Sequence, residues 1–146
     1  MLRILSQADL IPILAIEKSV HVVPWTEETF KLCFESGYFG WAIELEKEII
    51  GFIFVSYSAT ECHVLNLCVS RAYQYQGWGR MLLDYAIHAA KQRGMDMVYL
   101  EVRRSNTRAI SLYKKLKFQL IGERKGYYPT LFGNEDALIF ARCLQI

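Results

Sequence analysis

The segment that most restricts the fold of this chain is Gln74–Arg80, QYQGWGR. It lies between an apolar run rich in branched residues, Glu61–Val69, and a helical pattern that continues to Arg93. In that pattern Trp78, Leu82, Ala86 and Ala89 recur at helical spacing, and Gly94 follows where a helix end favours a residue with positive φ. Strand, glycine loop and helix in direct succession commit this stretch to an α/β unit with the loop at the helix N-terminus. Gly77 and Gly79 carry no Cβ, so backbone N–H groups can approach an anion closely while the helix dipole favours its charge. Arg80 can add a charge-assisted contact. A tight strand-to-helix turn would also account for two glycines. Leu82 stands where a G-x-G-x-x-G fingerprint needs its third glycine, and no G-x-x-x-x-G-K-[ST] occurs, which weakens dinucleotide and nucleoside-triphosphate readings.

The elements around this unit alternate in type. Leu2–Leu5 predicts a short strand, and Ser6 with Asp9 three residues on predicts the start of a helix to about Val20, with Pro12 tolerated in its first turn. After the loop His21–Trp25, Thr26 caps a second helix that has Glu27 and Glu28 in its first turn and ends at Gly37. Tyr38–Leu45 and Ile49–Ser58 read as a hairpin around Glu46-Lys47. Met97–Val102 is a strand, and Thr107–Leu116 is a helix with Ala109, Leu112, Tyr113 and Leu116 on one face. Strand returns from Phe118, and Asp136–Leu144 closes the sheet. With 146 residues, 53% of them hydrophobic, the expectation is one α/β domain spanning residues 1–146.

A net charge of +2 is too mild for a dedicated nucleic-acid binder. The cysteines Cys33, Cys62, Cys68 and Cys143 form no C-x-x-C pair and lack a His at metal-ligand spacing. They are expected to be buried small hydrophobes in a reducing cytoplasm, with no metal. No basic flank, apolar run and cleavage site combine at the N-terminus, and no apolar stretch approaches the ~20 residues of a membrane helix, so a soluble protein without membrane contact is expected.

Q-x-x-G-x-G between strand and helix resembles the acyl-CoA-binding motif of the GNAT N-acetyltransferase superfamily. LEVRRSNTRAISLYKKLKF (Leu100 to Phe118), GYYP (Gly126 to Pro129), GNEDA (Gly133 to Ala137), LNLCV (Leu65 to Val69) and Pro24-Trp25 together resemble its RimI branch over nearly the whole chain. Enzymes of that branch acetylate the N-terminal alanine of the eighteenth small-subunit ribosomal protein. The resemblance implies a single-domain GNAT fold: a mixed, mostly antiparallel central sheet with splayed parallel strands and flanking helices. It implies acetyl-CoA as co-substrate, a ribosomal protein N-terminus as acceptor, direct transfer in a ternary complex, and a cytoplasmic enzyme, with a monomer favoured. The cofactor-binding residues it implies are Gln74, Tyr75, Gln76, Gly77, Trp78, Gly79 and Arg80, with the main chain of Leu67 and Val69 and the side chain of Asn106 along the pantetheine arm. Glu101 matches the general base and Tyr113 the acid that protonates the departing thiolate. Departures are Tyr75, where Arg is frequent and a phosphate partner is thereby removed, Trp78 for leucine, Lys117 for glycine and Asn134 for a basic residue.

Each of these residues also has a plainer role. Glu101 can pair with Arg103 or Arg104 at a strand end, Tyr113 can be a core aromatic, and Asn106 is a natural helix N-cap. His63 fits a structural strand histidine. Pro24 and Trp25, and likewise Tyr127 and Tyr128 with Pro129, form aromatic loops that suit a peptide end or a packed turn. An α-amine with pKa near 8 is about one-tenth neutral at pH 7, whereas a lysine near 10.4 is neutral less than about 0.1% of the time. An N-terminal acceptor therefore demands less of a base than a lysine. A lysine or small-amine acetyltransferase and a non-catalytic CoA-binding module remain the alternatives.

Overall fold

The computed structural model describes residues 1–144. Its elements are β1 (Leu2–Ile4), α1 (Leu10–Val20), α2 (Glu27–Glu35), β2 (Phe39–Leu45), β3 (Glu48–Ser58), β4 (Glu61–Val69), α3 (Trp78–Gln92), β5 (Met97–Arg103), α4 (Thr107–Lys115), β6 (Gln119–Thr130) and β7 (Gly133–Cys143). Short 3-10 turns precede α1 and follow β4.

Local chemistry fixes most boundaries. The Ser6 amide donates to Asp9 Oδ2 at 2.9 Å, and Asp9 receives Arg3 through both carboxylate oxygens, so the entry to α1 is pinned to β1. The Thr29 amide donates to Thr26 Oγ1 at 3.2 Å and caps α2. Glu46 and Lys47 both have positive φ, 50° and 67°, the backbone of a two-residue hairpin turn whose twist matches the flanking strands.

The seven strands form one sheet in the order β1-β2-β3-β4-β5-β7-β6, antiparallel except for β4 and β5. That parallel pair is short: Glu61–Val64 lies along Met97–Leu100, and there the pairing stops. β4 continues along β3 as far as Val69 opposite Gly51, and β5 continues along β7 as far as Arg103 opposite Ala137. The two strands therefore part, and the sheet opens between residues 65–69 and 101–103.

Each face of the sheet buries its own core. On one face α3 and α4 cover Leu82, Leu83, Ala86, Val98, Leu100, Val102, Tyr113 and Phe140; on the other, α1 and α2 cover Ile13, Phe30, Phe52 and Phe54. Aromatic edges meet across the second core, with Phe30 against Phe52 at 5.8 Å.

Three expectations change. The last strand begins at Gly133 and not at Asp136, because the 12-residue β6 pairs back along it, and it lies between β5 and β6. Tyr127, Tyr128 and Pro129 lie in β6, not in a loop; an irregularity between Arg124 and Tyr128 accommodates them, and the proline is tolerated because β6 is an edge strand. Cys143 is exposed, near the end of its strand, while the other three cysteines are buried.

Candidate active site

A cavity of about 630 Å³ lies where β4 and β5 part. Its lining draws on β4 (Leu67, Cys68, Val69), the following loop and α3 start (Gln74, Gly77, Gly79, Arg80), and α4 with its approach (Arg103, Asn106, Arg108, Ala109, Ser111, Leu112, Tyr113, Lys115). The end of α1 adds Val20, His21 and Val22. Gln74 Nε2 donates to the Val69 carbonyl at 2.9 Å and ties the loop to the strand it leaves. Gly77 caps α3 with φ +90°, a conformation that strains any L side chain.

The cavity is electrostatically one-sided. Arg71, Arg80, Arg103, Arg108 and Lys115 line it, and among the described residues no carboxylate does. With the α3 N-terminus alongside, the site suits a polyanion. This is the observation that makes the loop an anion cradle instead of a bare turn.

Of the cofactor-binding residues expected from sequence, Leu67, Val69, Gln74, Gly77, Gly79, Arg80 and Asn106 line the cavity. Tyr75, Gln76 and Trp78 do not. Tyr75 is exposed with its ring under Arg108, while the Trp78 indole N–H donates to Gln76 Oε1 at 3.3 Å and its ring packs on the α3-side core. Asn106 holds both places: its Oδ1 accepts from the Ala109 amide at 3.2 Å, capping α4 at the cavity wall.

Tyr113 is buried between Phe118 and Phe140, with ring centroids 6.0 and 6.1 Å away, and it also lines the cavity. Burial raises its hydroxyl well above the ordinary tyrosine range, with Tyr128 adding to the effect, so the proton stays on oxygen.

Glu101 alternates with the buried Leu100 and Val102 and therefore faces the other side of β5. Its Oε1 lies 3.0 Å from Arg124 Nε on β6. Tyr128 stands beside it, its hydroxyl pushed up to about 12 by desolvation and then by the Glu101 charge. Tyr127 meets Tyr128 edge-on at 5.1 Å, and the Arg103 guanidinium lies 4.6 Å over the Tyr128 ring while donating to Glu135 and the Pro129 carbonyl. The ion pair expected of Glu101 with its strand neighbours goes instead to Arg124. Tyr113 lines the cavity and Glu101 does not; the two lie on opposite faces of the sheet.

Pro24 and Trp25 stand apart from the cavity lining. The Trp25 ring packs on Phe30 at 5.2 Å and Phe54 at 6.4 Å, and its amide donates to Glu17 Oε2 at 2.9 Å. Sequence reasoning missed Glu17. It is 2% exposed, accepts from Asn66 Nδ2 at 2.8 Å through its other oxygen, and lies 3.5 Å from His21 Nε2. One carboxylate thereby joins α1, the loop before α2 and the opened part of β4. Glu17, His21 and Cys68 place one potential metal-ligand atom each within 4.8 Å, a grouping the cysteine spacing did not suggest, although both Glu17 oxygens already accept hydrogen bonds. The i, i+4 spacing of Glu17 and His21 was the available signal. His63 stacks on Tyr99 and meets Glu61, outside the cavity.

Residues 10–118 match the Acetyltransferase (GNAT) family. The chain belongs to that family. Among GNAT relatives, it is 36% identical over 137 residues to the [ribosomal protein bS18]-alanine N-acetyltransferase of Escherichia coli K12, covering 94% of this chain and 93% of the relative. A crystal structure of the ribosomal-protein-S18-alanine N-acetyltransferase from Escherichia coli superposes with a TM-score of 0.95 at 34% identity, covering 100% of this chain and 94% of that one. The crystal structure of Arabidopsis thaliana NAA60 in complex with acetyl-CoA gives 0.88 at 21% identity over 99% of this chain and 98% of that one, a likeness of fold alone. The seven-stranded sheet parted at its parallel pair is the GNAT fold, and the protein is an N-acetyltransferase. No helix among the described residues is long and apolar enough to cross a membrane.

Proposed function

We propose that this GNAT enzyme acetylates the N-terminal α-amine of ribosomal protein bS18, at alanine, from acetyl-CoA. The observation that carries the reading is the pairing across one opening in the sheet. A cationic, carboxylate-free cavity lies on one side, and a carboxylate flanked by aromatic side chains lies on the other. The likeness to bS18-alanine N-acetyltransferases over 94% of the chain supports the choice of acceptor.

Acetyl-CoA, when bound, supplies the thioester whose acetyl carbon the amine attacks. The loop Gln74–Arg80 and the cations around it hold phosphate oxygens through backbone N–H groups and guanidinium edges. The Leu67 backbone and the Val69 amide, released from β5 where the strands part, can bond an amide-bearing arm, while the Val69 carbonyl already accepts from Gln74, and Asn106 stands at the same wall. Glu101 takes the proton from the acceptor ammonium, directly or through water, so that the neutral amine forms the new C–N bond. Tyr113 gives its proton to the sulfur as the C–S bond breaks, and it is restored by the second proton that nitrogen loses as the amide forms; burial keeps the hydroxyl protonated at neutral pH until then.

Tyr127, Tyr128, Pro24 and Trp25 border the acceptor side. The Tyr127-Tyr128 pair, next to Glu101, bears most directly on the incoming chain end. No cysteine nucleophile is needed: burial pushes the Cys62 thiol up to about 12 and the Cys68 thiol higher, so neither is a thiolate at neutral pH. On this reading the enzyme works as a cytoplasmic monomer without a metal.

The test is thiol release from acetyl-CoA against a panel of synthetic peptides: an alanine start from bS18, a Met-Leu start, and an N-terminally blocked peptide with one lysine. The alanine start turns over fastest. Acetylation of the lysine peptide or a polyamine, with the bS18 peptide inert, would overturn the proposal.

A further inference from the structure

We infer that Arg108, held in place by stacking on Tyr75, is a phosphate-binding residue for the nucleotide end of CoA; the inference rests on the acetyl-CoA reading above. Arg108 lies in the first turn of α4 and lines the cavity, and its guanidinium carbon is 3.3 Å from the centroid of the Tyr75 ring. Tyr75 belongs to the glycine loop on the other border of the cavity, so the stack spans the two elements that flank the anion cradle.

Three of the four other cations that line the cavity also have protein partners, and the fourth, Lys115, stands in the last turn of α4. Arg71 donates to the carbonyls of Ser19 and Val20, Arg103 pairs with Glu135, and Arg80 Nε lies 3.7 Å from Asp84. Among the described residues no carboxylate lies within ion-pair distance of Arg108. A guanidinium covered on its flat face by a ring keeps its N–H edge free, and that edge matches phosphate oxygens in a bidentate way. Stacking also removes rotamer freedom from Arg108 before the ligand arrives, which reduces the ordering cost of binding.

The conformation of Tyr75 fits this role. It is 80% exposed and has φ +65°, so it gains little from burial and departs from the usual backbone of an L residue. Its ring meets no other aromatic among the described residues; its partner is Arg108. The loop thus carries a ring at the cavity border, and the cation it orients comes from α4. Tyr75 acts through Arg108 and is a positioning residue.

The phosphate chemistry has two sources in CoA, the pyrophosphate and the 3′-phosphate, and the experiment separates them. Binding of acetyl-CoA and of 3′-dephospho-acetyl-CoA is measured by calorimetry for the parent, Arg108→Ala, Tyr75→Ala, Tyr75→Phe and the double alanine variant. Arg108→Ala weakens acetyl-CoA binding about ten-fold, the size of a charged hydrogen bond. Tyr75→Ala weakens it about three-fold, Tyr75→Phe restores parent affinity because the ring face is kept, and Tyr75→Ala adds nothing once Arg108 is gone. If the loss at Arg108 vanishes with the dephospho ligand, the partner is the 3′-phosphate; if it persists, the partner is the pyrophosphate. Arg108→Ala within about two-fold of the parent, or equal Tyr75→Ala losses with and without Arg108, overturns the inference. A parent protein that binds no acetyl-CoA overturns the functional reading itself, a separate outcome. Unliganded melting temperatures matching the parent show that the exposed substitutions leave the fold intact.

Discussion

Glu17→Ala tests whether one buried carboxylate holds the acceptor-side loop to the sheet. Glu17 is 2% exposed, and its two oxygens accept from the Trp25 amide at 2.9 Å and from Asn66 Nδ2 at 2.8 Å. Truncation strands two donors in a half-buried region, each costing about 1–2 kcal/mol, and leaves a side-chain-sized void. Relief of the carboxylate's own desolvation trims the total, for an expected loss of about 2–4 kcal/mol. At this chain length that lowers the melting temperature by about 5–12 °C. Glu17→Gln preserves the shape and one acceptor, so it loses roughly half as much. Urea denaturation followed by tryptophan fluorescence measures both, with Trp25 close to the lost contact. The alanine variant also raises the KM for the acceptor peptide more than for acetyl-CoA, because the freed segment runs from α1 into the loop before α2. A loss below about 0.5 kcal/mol, the range of an ordinary surface change, would refute the reasoning.

Further outcomes follow from the same geometry. Glu101→Gln keeps shape and removes the base, so turnover falls about 100-fold or more while acetyl-CoA affinity measured by calorimetry holds; equal loss of both would assign Glu101 to binding. Tyr113→Phe keeps the packing against Phe118 and Phe140 and removes only the hydroxyl, so turnover drops by about two orders of magnitude with little change in melting temperature. Desolvation pushes the Cys62 thiol and the Tyr57 hydroxyl up to about 12, and it raises Tyr113 as well. These groups ionise first in the unfolded chain, so their contribution is complete below about pH 8.5. Above that the Cys62 contribution falls first, by up to about 1.4 kcal/mol per pH unit, and the tyrosines follow only above about pH 10, with half-buried Tyr57 contributing less because solvent screens it. Melting temperatures recorded from pH 7 to 11 should decline above pH 8.5; a flat profile would contradict burial of these groups.

Local signals were legible in the sequence, and long-range ones were not. Strand Glu61–Val69, the Thr26 cap, the Glu46-Lys47 turn and the glycine loop before α3 depend on neighbours a few residues away, and all appear as read. The place of β7 inside the sheet depends on which strand wins the partner beside β5, and no local pattern encodes it. Tyr127 and Tyr128 looked like a loop because glycine and proline flank them, yet pairing with β7 overrides that preference. The GNAT family membership expected from the motifs is shown by the match over residues 10–118. The grouping of the site is tertiary: Asn66 reaches Glu17 across 49 positions, Arg124 reaches Glu101 from another strand, and Arg108 reaches Tyr75 from another helix. The family resemblance marks Tyr75 as a place where an arginine is frequent; only the fold brings Arg108 to it.

The most direct test of the central claim is tandem mass spectrometry of unmodified ribosomal protein bS18 after incubation with the enzyme and acetyl-CoA. The expected result is a single acetyl group on the α-amine of the N-terminal alanine, with the lysines unmodified and the product strongly diminished for Glu101→Gln. Acetyl groups on lysine side chains with a free N-terminus, or an equal yield from Glu101→Gln, would contradict it.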